Sequence, residues 1–109
     1  MKEGRRRRYI GFKVECIDEN RNSLDKGDII YIVRKRCSEL FGEHCKKMGL
    51  YIVRFNGEEG ILRCRHIEKE NSIKLLQSIK EIKGREVKVK TLGTSGTIKS
   101  LIKKHMNSL

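Results

Sequence analysis

Two stretches near opposite ends of this chain alternate apolar and polar residues position by position, and that pattern limits the fold more than any other feature. In residues 9–17, Ile10, Phe12, Val14 and Cys16 fall on one side, and Tyr9, Gly11, Lys13 and Glu15 on the other. Residues 85–92 repeat the pattern, with Val87, Val89 and Thr91 against Glu86, Lys88 and Lys90. Successive side chains of a strand point to opposite faces, so both stretches read as strands with one apolar face. Strands of that kind belong to an antiparallel sheet covered on one side.

The residues between them change period. Asp18 to Ser23 is a polar loop. Asp25 or Asp28 then caps a helix whose apolar positions Ile29, Ile30, Val33, Cys37, Leu40 and Phe41 recur at helical spacing and end near Gly42. Residues 42–49 read as a loop or a helical extension. Leu50 to Phe55 is a second strand, Asn56-Gly57 followed by Gly60 is a tight connection, and Ile61 to His66 is the antiparallel return. Asn71 or Ser72 opens a second helix with Leu75, Leu76, Ile79 and Ile82 inward and Gly84 as its stop. After the 85–92 strand, a last helix begins near Thr94 or Ser95 and carries Ile98, Leu101, Ile102 and Met106 as an apolar stripe.

The predicted order is β-α-β-β-α-β plus a C-terminal helix. This is an α+β, ferredoxin-like sandwich of the RNA-recognition-motif kind, with a four-stranded antiparallel sheet under two helices. At 109 residues the chain is expected to form a single domain, 1–109, with residues 1–8 as a flexible basic arm.

Charge then points to a partner. Lys and Arg number 26 against 14 Asp and Glu, a formal charge of +12. Residues 1–14 hold six basic residues against Glu3, and residues 85–109 hold six against Glu86, so ten of the twelve excess charges lie at the two chain ends. First and last strands are neighbours in a ferredoxin-like sheet, which brings both ends to one region. A polyanion is the expected partner, since each neutralised phosphate releases condensed counterions. No run of about 18 apolar residues spans a membrane, and no leader pattern is present, so a cytoplasmic protein is expected.

Alternation places Lys13, Lys88 and Lys90 on the face away from the helices, and Arg63 and Arg65 beside them, because Leu62 and Cys64 turn inward. The run Arg5, Arg6, Arg7 and Arg8 is read as an arm that orders on RNA. Thr94, Ser95 and Lys99 open the final helix, whose free N–H groups suit a phosphate. The third strand carries no aromatic and the first presents only Tyr9 outward, so recognition by shape and phosphate is expected rather than base stacking.

The four cysteines, 16, 37, 45 and 64, lack the close paired spacing of a zinc ribbon and are expected as reduced thiols. A Cys/His site from His44, Cys45, Cys64 and His66 is the weaker alternative. Two other functional classes compete. One is a small acylphosphatase-type hydrolase, for which the 18–23 loop offers Arg21 and Asn20 but no glycine-rich cradle. The other is a protein-interaction module that docks through the open sheet face or the last helix.

Four segments in this order, Arg8-Tyr-Ile-Gly-Phe12, Tyr51-Ile-Val-Arg-Phe-Asn56, Gly60-Ile-Leu-Arg-Cys64 and Gly93-Thr-Ser-Gly-Thr-Ile-Lys99, resemble the archaeal ribonuclease P protein component 2 family, which is related to a eukaryotic subunit of ribonucleases P and MRP. The resemblance implies a ferredoxin-like subunit of a particle that removes the 5′ leader from precursor tRNA. In that particle the ribonuclease P RNA is the catalyst and Mg²⁺ sits at the RNA. It also implies a protein partner, ribonuclease P protein component 3, with which the chain can form a heterotetramer. No catalytic residue, bound cofactor or protein-held metal is implied for this chain.

Overall fold

The computed structural model describes residues 6–17 and 24–106. The predicted loop Asp18 to Ser23, with Asn20 and Arg21, and the arm residue Arg5 lie outside the described residues. Five strands and three α-helices follow in the order β1 (Arg7–Cys16), α1 (Lys26–Phe41), β2 (Tyr51–Phe55), β3 (Glu59–Arg65), α2 (Lys69–Gln77), β4 (Glu81–Ile82), β5 (Arg85–Ser95) and α3 (Ile98–His105). All strand pairs are antiparallel, in the sheet order β2-β3-β1-β5-β4. First and last strands are neighbours, as the charge argument required.

The fifth strand corrects the four-strand expectation. Ile82, assigned from its spacing to the second helix, instead pairs with Arg85 in a two-residue hairpin. Lys83 and Gly84 form its turn with φ of 53° and 79°, the positive pair that a tight antiparallel reversal demands. Ile82 therefore reaches the core from a strand while keeping its apolar environment.

Both expected caps of α1 act together. Asp25 Oδ1 accepts from the Asp28 N–H, and Asp28 Oδ2 accepts from the Asp25 N–H, both at 2.9 Å. Ile29, Ile32, Val33 and Cys37 form the buried stripe, while Leu40 stands exposed. Gly42, at φ 57°, ends the helix, and a 3₁₀ segment over Gly42–Lys47 turns the chain back. That turn pairs Cys37 with Cys45 as a disulfide across eight residues, which corrects the expectation of four reduced thiols. Cys64 is buried and free, and Cys16 exposed and free.

Two β-bulges set which side chains share a face. Along β2 the pairing moves from Ile52↔Leu62 to Arg54↔Ile61, leaving Val53 as the extra residue. Ile52 and Phe55, three apart, can then both enter the helix-side core, where Phe55 stacks on Phe12 at 6.1 Å between ring centroids. Along β5 the extra residue is Leu92, between Phe12↔Thr91 and Gly11↔Gly93. Val53 and Leu92 both join a second, smaller cluster on the opposite face, centred on Ile61, Leu101 and Met106.

That second cluster is the seat of α3. A side chain at Gly93 would overlap the His105 ring, and a Cβ at Gly11 would lie 3.0 Å from Met106 Sδ. The sheet is thus covered across its whole helix-side face by α1 and α2, and across the middle of its outer face by α3.

Candidate nucleic-acid interface

The outer face is divided by α3 into two basic regions of different character. One holds Lys13, Lys88 and Lys90. On β1 and β5, Lys13 pairs across the ladder with Lys90, and Glu15 with Lys88. Lys13 Nζ is 3.2 Å from Glu58, and Lys90 Nζ is 3.4 Å from Glu15. Glu58 raises the Lys13 ammonium above its usual pKa, chiefly by hydrogen bonding, with Glu15 and Glu59 adding to it. By strand alternation only Glu15 and Glu86 share this face with the lysines. The β2–β3 hairpin brings two further carboxylates to the same end.

The other region lies at the start of β1. Its first ladder row is Arg7↔Arg65, and its second joins Ser95, Tyr9, Arg63 and Tyr51 across β5, β1, β3 and β2. No carboxylate holds a place in either row. The Arg63 guanidinium lies 4.7 Å from the centroid of the Tyr51 ring, within cation–π range. Arg65 is anchored by a 3.2 Å hydrogen bond from its guanidinium to the Lys47 carbonyl. Its backbone N–H donates to the Met48 carbonyl.

The predicted arm divides here. Arg6 and Arg7 are exposed, but Arg7 and Arg8 are already part of β1, and the Arg6 carbonyl accepts from the His66 N–H. Arg8 pairs with Cys64, so alternation turns it toward the helix side. Thr94 and Ser95 do not begin the last helix, because β5 continues to Ser95. The helix cap is Thr97, whose Oγ1 accepts from the Ser100 N–H at 3.2 Å, while Ser95 Oγ accepts from the Thr97 N–H at 3.3 Å. Lys99 is exposed on α3. The structure therefore brings Arg7, Arg63, Arg65 and Ser95 together, and separates them from Lys13, Lys88 and Lys90.

Tyr51 is the residue that sequence reasoning missed. Counting back from the Asn56-Gly57 turn without a bulge sets it opposite Cys64 and away from Arg63. Only the extra residue Val53 shifts it into line with Arg63 and Tyr9.

The weaker metal alternative is not assembled. His44 Nε2 lies 2.8 Å from the buried carboxylate of Glu68, which also accepts from Asn71 at 3.0 Å. Among the described residues, no cluster of three His, Cys, Asp or Glu side chains is placed to hold a metal ion. Among them, too, no helix is long and apolar enough to cross a membrane.

A sequence model of the Rpp14/Pop5 family matches residues 8–106, which takes in all the elements described above except Arg7, the first residue of β1. The chain belongs to the Rpp14/Pop5 family. Within this family it is 33% identical over 101 residues to ribonuclease P protein component 2 of Archaeoglobus fulgidus, covering 93% of this chain and 89% of that protein. The protein of the same name from Pyrococcus furiosus is 32% identical, covering 94% and 84%. A chain in the cryo-EM structure of yeast ribonuclease MRP superposes with a TM-score of 0.73 at 12% identity, covering 85% of this chain and 76% of that one. The last likeness shows that the Rpp14/Pop5 fold of this chain recurs there.

Proposed function

We propose that this chain is a protein subunit of ribonuclease P that binds the catalytic RNA and supports removal of the 5′ leader from precursor tRNA. The family match across residues 8–106 carries this reading. The names of the archaeal relatives and the basic rows at the start of β1 support it. The order β2-β3-β1-β5 of the four long strands supports a ferredoxin-like plan, with β4 as an added edge hairpin.

In this reading the chemistry belongs to the RNA and its Mg²⁺. The protein's guanidinium groups offset phosphate repulsion where strands of RNA approach one another, so the active RNA fold needs less divalent cation. Arginine suits the task because its planar fork stays charged and can hold a phosphate with two hydrogen bonds. Ribonuclease P protein component 3 is the expected protein partner, the pair assembles as a heterotetramer, precursor tRNA is the substrate, and the particle acts in the cytoplasm.

The test is a particle reconstituted from the RNA and its proteins. Replacing Arg7, Arg63 and Arg65 together by Gln is expected to raise the Mg²⁺ needed for cleavage and to lower the salt slope of RNA binding by about two to three, roughly 0.9 per lost phosphate contact. Replacing Lys13, Lys88 and Lys90 is expected to do less, since Glu15 and Glu58 already neutralise part of that region. Unchanged cleavage at low Mg²⁺ by the arginine variant removes the interface assigned here.

A further inference from the structure

We propose that Tyr51, with Arg63 and Tyr9 in register beside it, is a stacking platform for an unpaired nucleobase of RNA. The inference rests on the RNA-binding reading above and specifies what part of the RNA this surface takes.

The row arises from pairings that alternation alone does not produce. Tyr9 faces Arg63 across β1 and β3, and Tyr51 faces Arg63 across β3 and β2, so the three residues share one row, with Tyr9 half-buried against the cluster under α3 and Tyr51 left open. At about 4.8 Å per strand the line spans roughly 10 Å. Tyr51 is 52% exposed although it is a large aromatic side chain. It is also held, since the Arg63 guanidinium lies 4.7 Å from its ring centroid and the Lys26 ammonium 5.8 Å. These exposed contacts bias the orientation of the ring and set two cations beside any base that lies on it.

The surroundings select the ligand. Tyr51 opens β2, an edge strand whose Val53 packs against the cluster under α3, and is itself left exposed. The neighbouring row is Arg7↔Arg65, and Arg54 is exposed further along β2. These side chains carry positive charge around an aromatic surface, the combination that single-stranded nucleic acid uses, with bases on the ring and flanking phosphates on the cations. An apolar protein surface seated here would strip water from several guanidinium groups without neutralising them. A paired RNA helix keeps its bases stacked internally and offers none to the ring.

The experiment compares three probes on the full chain, namely a short oligouridylate, the same strand with abasic sites, and a short fully paired RNA duplex. Tyr51→Leu is expected to weaken oligouridylate binding roughly five- to 150-fold, the range for loss of one base–aromatic stack. Binding of the abasic strand and of the duplex is expected to change less than about twofold, because their charges are the same. Tyr51→Phe is expected to keep oligouridylate binding, since it keeps the ring. If Tyr51→Leu weakens all three probes equally, or none, the platform is overturned while RNA binding by the protein stands. If the unaltered chain binds no probe in a salt-dependent way, the RNA-binding reading itself fails. If Tyr51→Leu releases a protein subunit of the reconstituted particle and leaves oligouridylate affinity intact, the ring is a protein contact and the proposal is wrong.

Discussion

Replacing Gly93 by Ala tests whether the close approach of α3 to the sheet is what closes the outer face. Neither Gly93 nor Gly11 has a positive φ, so alanine is allowed by the backbone at both sites and only the added methyl decides the outcome. At Gly93 the methyl overlaps the His105 ring, starting at Cγ, the atom of that ring nearest its own backbone. His105 can clear it only by rotating about χ1, which in a helix leaves one other common choice, or by lifting the last turn of α3. Overpacking of this kind costs about 1–3 kcal/mol, and the reduced freedom of the unfolded chain returns about 0.4–1. A net loss of about 1–2 kcal/mol is expected. At Gly11 the methyl meets Met106 Sδ at 3.0 Å and Leu101 Cδ1 at 3.5 Å. The thioether is the flexible end of its side chain and can move aside, so the two terms nearly cancel.

Denaturant unfolding reads both values, and amide hydrogen exchange reports where the loss falls. Eight residues are too few for α3 to persist without its seat, so its amides should lose protection in Gly93→Ala while those of β1 and β3 keep theirs. Leu101→Ala empties the same small cluster at a cost of about 2–3 kcal/mol, the low end of the usual range. Combined with Gly93→Ala it should cost less than the two alone, because both undock one helix. Equal stability of Gly93→Ala and the unaltered chain, or a larger loss for Gly11→Ala, refutes the account of how α3 is seated.

Two further outcomes follow from local chemistry. The Asp28 carboxyl is held below its ordinary pKa of 3.8, first by the Asp25 backbone N–H and then by Lys83, whose Nζ is 3.3 Å away. A depressed folded pKa means stability that is present above pH 3.8 and lost as pH falls through the folded value. Asp28→Asn should therefore destabilise the chain at neutral pH, and the difference from the unaltered protein should close in acid unfolding curves well below pH 3.8; a gap that persists there contradicts the assignment. Burial pushes the Cys64 thiol pKa up. Alkylation of the folded, unreduced chain at neutral pH should mark Cys16 rapidly, leave Cys64 unmodified until denaturation, and leave Cys37 and Cys45 unmodified until reduction, as peptide mass spectrometry would read. Early labelling of Cys64 would contradict its burial.

The parts of this fold that were readable beforehand are those in which one period runs unbroken. β1 alternates from Arg8 to Cys16, and the structure seats Ile10, Phe12 and Val14 in the core as alternation requires. The α1 caps were readable because Asp25 and Asp28 carry their own chemistry. The errors fall where a period is interrupted. Ile82 continues the helical spacing of Leu75, Leu76 and Ile79, yet the chain leaves α2 at Gln77 and reaches the same core by a strand. Spacing records which residues are buried but not which element delivers them. Thr94 and Ser95 carry the composition of a helix start, but pairing with Ile10 and Tyr9 keeps them in β5, and the capping role passes to Thr97.

The same limit explains why the interface was only half visible. Arg63 and Arg65 could be placed outward from Leu62 and Cys64 because all four lie on one uninterrupted strand. Which residues stand beside them on other strands depends on register, and register here depends on two bulges. Val53 and Leu92 carry no local signal of a bulge; they are ordinary strand residues. Each packs, half-buried, against the apolar cluster under α3, a contact between segments far apart in the chain. The helix that covers the middle of the outer face is therefore coupled to the alignment beside it. The packing of half-buried Val53 against that cluster accompanies the shift that brings Tyr51 opposite Arg63. If that coupling holds, undocking α3 by Gly93→Ala should also weaken oligouridylate binding, although Gly93 lies three strands from Tyr51. Full retention of that binding in a variant whose α3 amides exchange freely would show that the β2–β3 register stands without the helix.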